Sequence, residues 1–218
     1  MSFKSLLNPL LLASEKRIFE KLNSPQKIQD YLDALPINFE IGAETYMSPR
    51  RVFEAEMAHC FEGALLAATV LAYHGHRPLL MDFRTGWDDE DHVVALFRQN
   101  GLWGAISKTN HTVLRYRDAV YKTPRELAMS YFHEYFMWDG RKSLRAYSAP
   151  FDLSRYAPTR WVTAEEDLFW LAGDLDSSRH FPVVQNKNIK RLRPASKIEL
   201  QNLKLVEWNK KGKRISAN

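Results

Sequence analysis

Only one cysteine, Cys60, occurs among the 218 residues. Without a second thiol the chain has no internal disulfide framework and no multi-cysteine zinc site. Long apolar runs are also missing. Nothing approaches the roughly 20 residues needed to cross a bilayer. The short stretch Leu6 to Ala13 is broken by Asn8 and Pro9, which makes it poor signal-peptide material. A cytoplasmic location is the expectation. There is no internal repeat, low-complexity tract or Gly/Ser linker. What is present is globular composition, 45% hydrophobic and 26% charged. That excludes disordered, collagenous and coiled-coil chains, and the length leaves room for a real core.

The net charge of +5 is unevenly spread. Ten lysines and arginines lie between Lys187 and Arg214 against Glu199 and Glu207, whereas residues 1–186 carry 21 basic and 24 acidic side chains. Two parts follow: an α+β domain over 1–186 and a basic C-terminal extension over 187–218. The apolar residues of Leu203 to Trp208 are expected to pack part of that extension onto the domain. Its charge suits an anionic partner, a phosphate or an anionic surface, or else a solvated tail.

Local signals place the elements. Ser14 can cap a helix through Leu22. Ser24-Pro25 opens one through Leu35, and Ser48-Pro49 opens a third, with no breaker between Arg50 and His59. His59 to Tyr73 is an apolar, alanine-rich helix stopped at Gly75. Arg77 to Phe83 reads as a buried strand. His92 to Arg98 and Leu102 to Ser107 read as strands joined around Asn100-Gly101. Thr123-Pro124-Arg125-Glu126 starts a helix to about Met137, and Thr163-Ala164-Glu165-Glu166 one to about Leu175. Helices, then a helix against an antiparallel sheet, then further helices make an α+β layout.

Cys60 stands near the start of the apolar helix. A lone cysteine is commonly buried and inert. A helix N-terminus, however, favours the thiolate, and a nearby imidazole favours it further and can move the proton. His92, opening a strand after an acidic loop, is the suitable partner, and His111 is the next choice. His59 is set aside because adjacent positions on a helix do not face each other. Asp88 to Asp91 lacks the alternating ligands and central glycine of a calcium loop and reads as a solvated acidic loop. No metal or cofactor is expected. Tyr131, Tyr135, Trp138, Phe169 and Trp170 read as core or groove wall.

Residues 55–110 resemble the transglutaminase-like superfamily with its papain-like Cys-His-Asp/Asn arrangement. The resemblance rests on Cys60, Gly63 to Ala67, Gly75, the strand Arg77 to Phe83, His92 to Phe97, and Asn100-Gly101-Leu102-Trp103. It implies a papain-like core, a central Cys-bearing helix packed on an antiparallel sheet with flanking helices, Cys60 as nucleophile and His92 as base. The family's aspartate position falls on Ser107. A serine can anchor an imidazole but cannot stabilise imidazolium as a carboxylate does.

Asn110 is the alternative third member, and hairpin register decides between the two. A two-residue loop pairs Gln99 with Leu102 and puts Ser107 on His92's face. A three-residue loop puts Asn110 there. The chemistry favours Asn110, whose amide oxygen is the better anchor. Two functions follow. One is a thiol enzyme acting by acyl transfer or hydrolysis on a protein, peptide or other amide or ester through a Cys60 thioester. The other is a catalytically weak or inactive binding protein that uses the groove and the basic C-terminus.

Overall fold

The structure, a computed structural model, describes residues 3–86 and 89–215. Trp87 and Asp88 of the acidic loop lie outside the described residues.

Five helices come first: α1 (Phe3–Leu7), α2 (Ala13–Lys21), α3 (Pro25–Ala34), α4 (Pro49–Ala55) and α5 (Cys60–Tyr73). Ser24 caps α3 by accepting the Lys27 N–H, and Ser48 caps α4 by accepting the Arg51 N–H. At α2 the expected cap is displaced. The helix begins at Ala13, Ser14 lies inside it, and Glu15 reaches back to the Leu12 N–H at 2.6 Å. A carboxylate in the first turn satisfies the same orphan donors that a capping serine would.

The sheet follows: β1 (Leu79–Thr85), β2 (His92–Gln99), β3 (Leu102–Ser107), β4 (Arg117–Tyr121), β5 (Leu144–Ser148), β6 (Phe151–Asp152) and β7 (His180–Pro182). The strand order is β4-β3-β2-β1-β5-β7, with β6 also pairing with β1, and every pair is antiparallel. The fold is therefore α+β.

Both faces of the sheet are covered, which is why β2 reads as a continuous apolar run rather than an alternating one. On one face Leu80, Val93, Ala95, Phe97 and Ile106 pack with α5. Every residue of α5 from Phe61 to Ala72 is buried, as befits a helix that is apolar all round. On the other face Met81, Phe83, Val94, Leu96 and Ala105 pack with Tyr135 and with α6 (Pro124–Tyr131).

Two helices differ from expectation because tertiary bonds claim their ends. α6 stops at Tyr131, and residues beyond it pair with a later segment: Phe136 bridges Lys142, and the Ser143 N–H donates to the Tyr135 carbonyl. The last long helix, α7 (Phe169–Asp176), starts five residues later than a Thr163 cap predicts. Asp167 is held outside it by the Tyr46 N–H at 2.9 Å and Arg51 at 2.8 Å.

Asn100 and Gly101 have φ of 50° and 81°, the left-handed pair that a two-residue type I′ turn requires. Gln99 accordingly pairs with Leu102 and Val94 with Ser107. In the C-terminal extension, α8 (Asn186–Ile189) and α9 (Lys197–Leu200) are short. The chain beyond them docks beside residues 110–111 through a His111–Val206 bridge and buries Trp208. Among the described residues, no helix is long and apolar enough to cross a membrane.

Candidate active site

The position of Cys60 is set by a broken helix. α4 ends because Glu56 turns left-handed at φ 51°. The chain after it is tied to the segment before: the Ala58 N–H donates to the Pro36 carbonyl at 3.2 Å, and the Asn38 N–H to the Ala58 carbonyl at 3.1 Å. α5 then starts afresh with His59 as its cap and Cys60 as its first residue. The thiol therefore lies at a true helix terminus, where N–H groups lack intrahelical acceptors.

Glu62 consolidates the junction. It is fully buried and accepts the His59 N–H at 2.9 Å, the Met47 N–H at 3.0 Å, the Thr45 hydroxyl at 2.9 Å and the Asn38 amide at 3.1 Å. One carboxylate thus satisfies four donors and fastens the loop from Asn38 to Met47 beside the thiol.

His92 is the first residue of β2 and lies on the sheet face of Phe83 and Val94, opposite the face covered by α5. It still meets Cys60 because each opens its element. The two side chains come together at the end of the sheet and line one cavity of about 540 Å³. The second ring nitrogen of His92, Nε2, lies 2.8 Å from the Ser107 hydroxyl, which itself donates to the Leu114 carbonyl. Since the Ser107 proton is directed to Leu114, Nε2 carries the hydrogen and donates to Ser107. Nδ1 is left with its lone pair.

Asn110 does not take this place, which corrects the chemical preference for it. Its amide donates to the Trp208 carbonyl at 3.0 Å and accepts the Trp208 N–H at 2.7 Å. A β-like exchange with the C-terminal segment outcompetes any contact with an imidazole on the opposite strand face. His111 joins the same docking seam through Val206. Among the described residues no loop carboxylate takes this place either: Asp91 accepts from both the Thr85 N–H at 2.7 Å and the Thr85 hydroxyl at 2.9 Å.

His59 is the residue that sequence reasoning missed. As a cap it lies outside the helix, so the rule that sets apart adjacent helical positions does not apply to it. Its Nδ1 is 4.0 Å from Cys60 Sγ and accepts the Phe61 N–H at 3.3 Å, while Nε2 donates to the Thr45 carbonyl at 2.8 Å. The signal was present in the spacing His59-x-x-Glu62, a capping box with an uncommon cap residue.

Burial pushes the Cys60 thiol up, but hydrogen bonds and charge from His59 and His92 outweigh it and hold the thiol well below its ordinary range. Burial also pulls His59 down. The thiolate and Glu62 reverse this and raise its imidazole to about 9.

A second cavity, of about 670 Å³, also reaches Cys60 and His59 and shares Glu40, Asp89, Glu90 and Asp91 with the first. Glu40, Glu44, Asp89, Glu90, Asp91 and Asp176 line it, and among the described residues no lysine or arginine does. Deeper in, Asp82 and His180 form a buried pair at 3.0 Å. Asp82, Asp91 and Asp176 bring carboxylate oxygens within 4.8 Å of one another. Burial raises Asp82 to about 6, with His180 opposing and the other two carboxylates adding to the rise. Comparison with known protein-family models and with curated proteins gives no match for this chain.

Proposed function

We propose that this protein is a thiol-dependent acyl-transfer enzyme built on a papain- or transglutaminase-like core, forming a thioester on Cys60. The observation that carries the proposal is the chain's only cysteine at the first position of its central helix, sharing a cavity with the imidazoles of His59 and His92. A merely structural thiol has no need of either imidazole. In the simplest form of the reaction, the thiol proton passes to His92 Nδ1 as sulfur attacks the carbonyl carbon of an amide or ester. The C–N or C–O bond breaks and the leaving group takes that proton. Water then gives a proton to Nδ1 as its oxygen attacks the thioester. The C–S bond breaks, releasing the acid and regenerating the thiol. The Cys60 N–H, at a helix terminus, is a donor for the oxyanion.

Two experiments test this. An activated ester such as p-nitrophenyl acetate should give a rapid burst and leave one acetyl group on Cys60, detected by intact-protein and peptide mass spectrometry. Cys60→Ser should abolish both. Adding a primary amine to the acylated protein distinguishes transfer, which yields the amide, from hydrolysis. The specific observation favouring a binding protein instead is Ser107, which backs His92 with a hydroxyl where a carboxylate would stabilise the cation. Failure of Cys60 to acylate would favour that second reading, with a protein or peptide in the groove and an anionic partner at the exposed C-terminal lysines.

A further inference from the structure

We infer that His59, rather than His92, holds the thiol's proton in the resting protein, so that the resting site is a Cys60 thiolate beside a His59 imidazolium. The inference rests on the thiol-enzyme reading of the site and assigns its two imidazoles different tasks.

Both imidazoles draw the thiol down; the geometry separates the rings by what stands behind them. His59 faces the thiol with Nδ1 and turns Nε2 to the Thr45 carbonyl at 2.8 Å, with Glu62 at 3.4 Å and Glu40 at 3.8 Å. A positive ring is therefore met by one carbonyl and two carboxylates. His92 has the Ser107 hydroxyl behind it. Opposite charge close by favours the charged form of a titrating group, and a hydroxyl dipole does so far less. The carboxylate missing from the His92 side is thus supplied on the His59 side by Glu62, which four further hydrogen bonds hold rigid.

One bond competes. The Phe61 N–H uses the Nδ1 lone pair, but at 3.3 Å it is long. Protonation exchanges this weak cap for a charge-assisted contact with sulfur at 4.0 Å.

Of the other charged and titratable groups around the pair, Lys108 is a cation on the wall of the shared cavity, where His111 and Glu134 also stand, and the remaining charges are anions. From the loop before α4, Glu40 and Glu44 favour the cation, and the Tyr46 ring stands edge-on to His59 at 5.9 Å. From the segment before β2, Asp89, Glu90 and Asp91 are further anions. Beyond α6, burial first and then the negative charge of Cys60, Asp89, Asp82 and Asp91 keep the Tyr135 phenol protonated. Anions around the site disfavour an isolated thiolate, so the thiolate depends on a protonated imidazole next to it.

Assigning the proton to His59 changes the reaction as follows. The thiolate attacks, and the leaving group takes the proton from His59 Nδ1 as its bond to the carbonyl carbon breaks. The attacking water gives its proton to His92 Nδ1, whose lone pair the Ser107 bond leaves open. The C–S bond breaks and sulfur departs as thiolate. Solvent then carries the proton from His92 to His59.

The test follows thiolate absorbance near 240 nm against pH on the full chain, with Cys60→Ser as blank. His59→Asn is the informative variant because asparagine keeps a capping side chain. It should raise the thiolate midpoint by about one pH unit or more, with His92→Asn moving it much less. His92→Asn should keep the ester burst and slow only the steady-state phase. If His59→Asn leaves the midpoint unchanged while His92→Asn raises it, or if the wild-type midpoint is that of an ordinary thiol, the inference is wrong. Should His59→Asn fail to fold, nitrogen-15 NMR of His59 decides: its imidazolium should persist to higher pH in the wild type than in Cys60→Ser, and equal midpoints overturn the proposal. A low midpoint with no acylation by ester would leave the ion pair standing and refute the enzyme reading alone.

Discussion

Ser107 both holds His92 and determines which of its nitrogens is free. The hydroxyl donates to the Leu114 carbonyl and accepts from Nε2 at 2.8 Å, so Nδ1 is the nitrogen available to the cavity. Ser107→Ala removes the anchor without touching the thiol. Deacylation of an acetylated Cys60 should slow by about 10², the lower range for a general base, while the 240 nm thiolate signal stays nearly unchanged. A deacylation rate equal to that of the wild type would show that Ser107 does not position the base.

The carboxylates around the second cavity predict charge selectivity at the thiol. A cationic methanethiosulfonate reagent should modify Cys60 faster than an anionic one of similar size, and added salt should narrow the gap. Rates measured at several ionic strengths by mass spectrometry provide the check. Equal rates for the two reagents would show that these carboxylates do not govern access to the thiol.

Lys108 gives a pH dependence of stability. Its ammonium is almost fully buried, donating to the Leu32 and Leu35 carbonyls at the end of α3. Burial lowers it to about 8. The folded value lies below the unfolded one of about 10.4, so folding disfavours the proton. The charged form therefore costs stability below pH 8, and the cost fades as pH rises from 8 toward 10.4. Relative to Lys108→Met, the wild type should gain up to about 3 kcal/mol across that window. Denaturant melts at pH 7.5 and 9.5 capture about 2 kcal/mol of it, and a difference that does not change with pH contradicts the prediction.

Gly63 lies on the thiol-bearing helix where it meets the end of β3. A Cβ built there would stand 2.6 Å from Lys108 Cβ, close to that residue's own backbone, so it cannot be swung aside. Gly63→Ala should cost about 1–3 kcal/mol and, by pushing the strand end from the helix, slow Cys60 acylation as well. Thermal melts together with the ester burst separate the two effects.

Trp208 is buried, and its backbone exchanges two hydrogen bonds with the Asn110 side chain. Trp208→Ala should cost about 3 kcal/mol, a clear fall in melting temperature. The C-terminal extension is thus not a free tail at this point. Its lysines, among them Lys187, Lys204 and Lys210, remain exposed.

Residues whose conformation is decided within a few positions were legible in the sequence. Ser24-Pro25, Ser48-Pro49 and Thr123-Pro124 cap and open helices because a side-chain oxygen and a preset φ act locally. Asn100-Gly101 turns the hairpin because both residues tolerate positive φ. Cys60 near a helix start and His92 at a strand start could be read from the same signals.

Tertiary contacts decided the rest. α4 ends at Glu56 because Ala58 must pair with Pro36 and Asn38, and nothing within the helix's own residues stops it. That break makes His59 a cap and brings its ring to the thiol. Asn110 was lost to the site through a partner 98 positions away. Glu62 reads locally as a first-turn acid, yet its burial and three of its four donors come from a loop folded over it. Propensity and capping act over one helical turn, whereas the partner of a buried polar group is chosen among all segments that packing brings close. The electrostatic character of this site was therefore settled only once the chain had closed on itself.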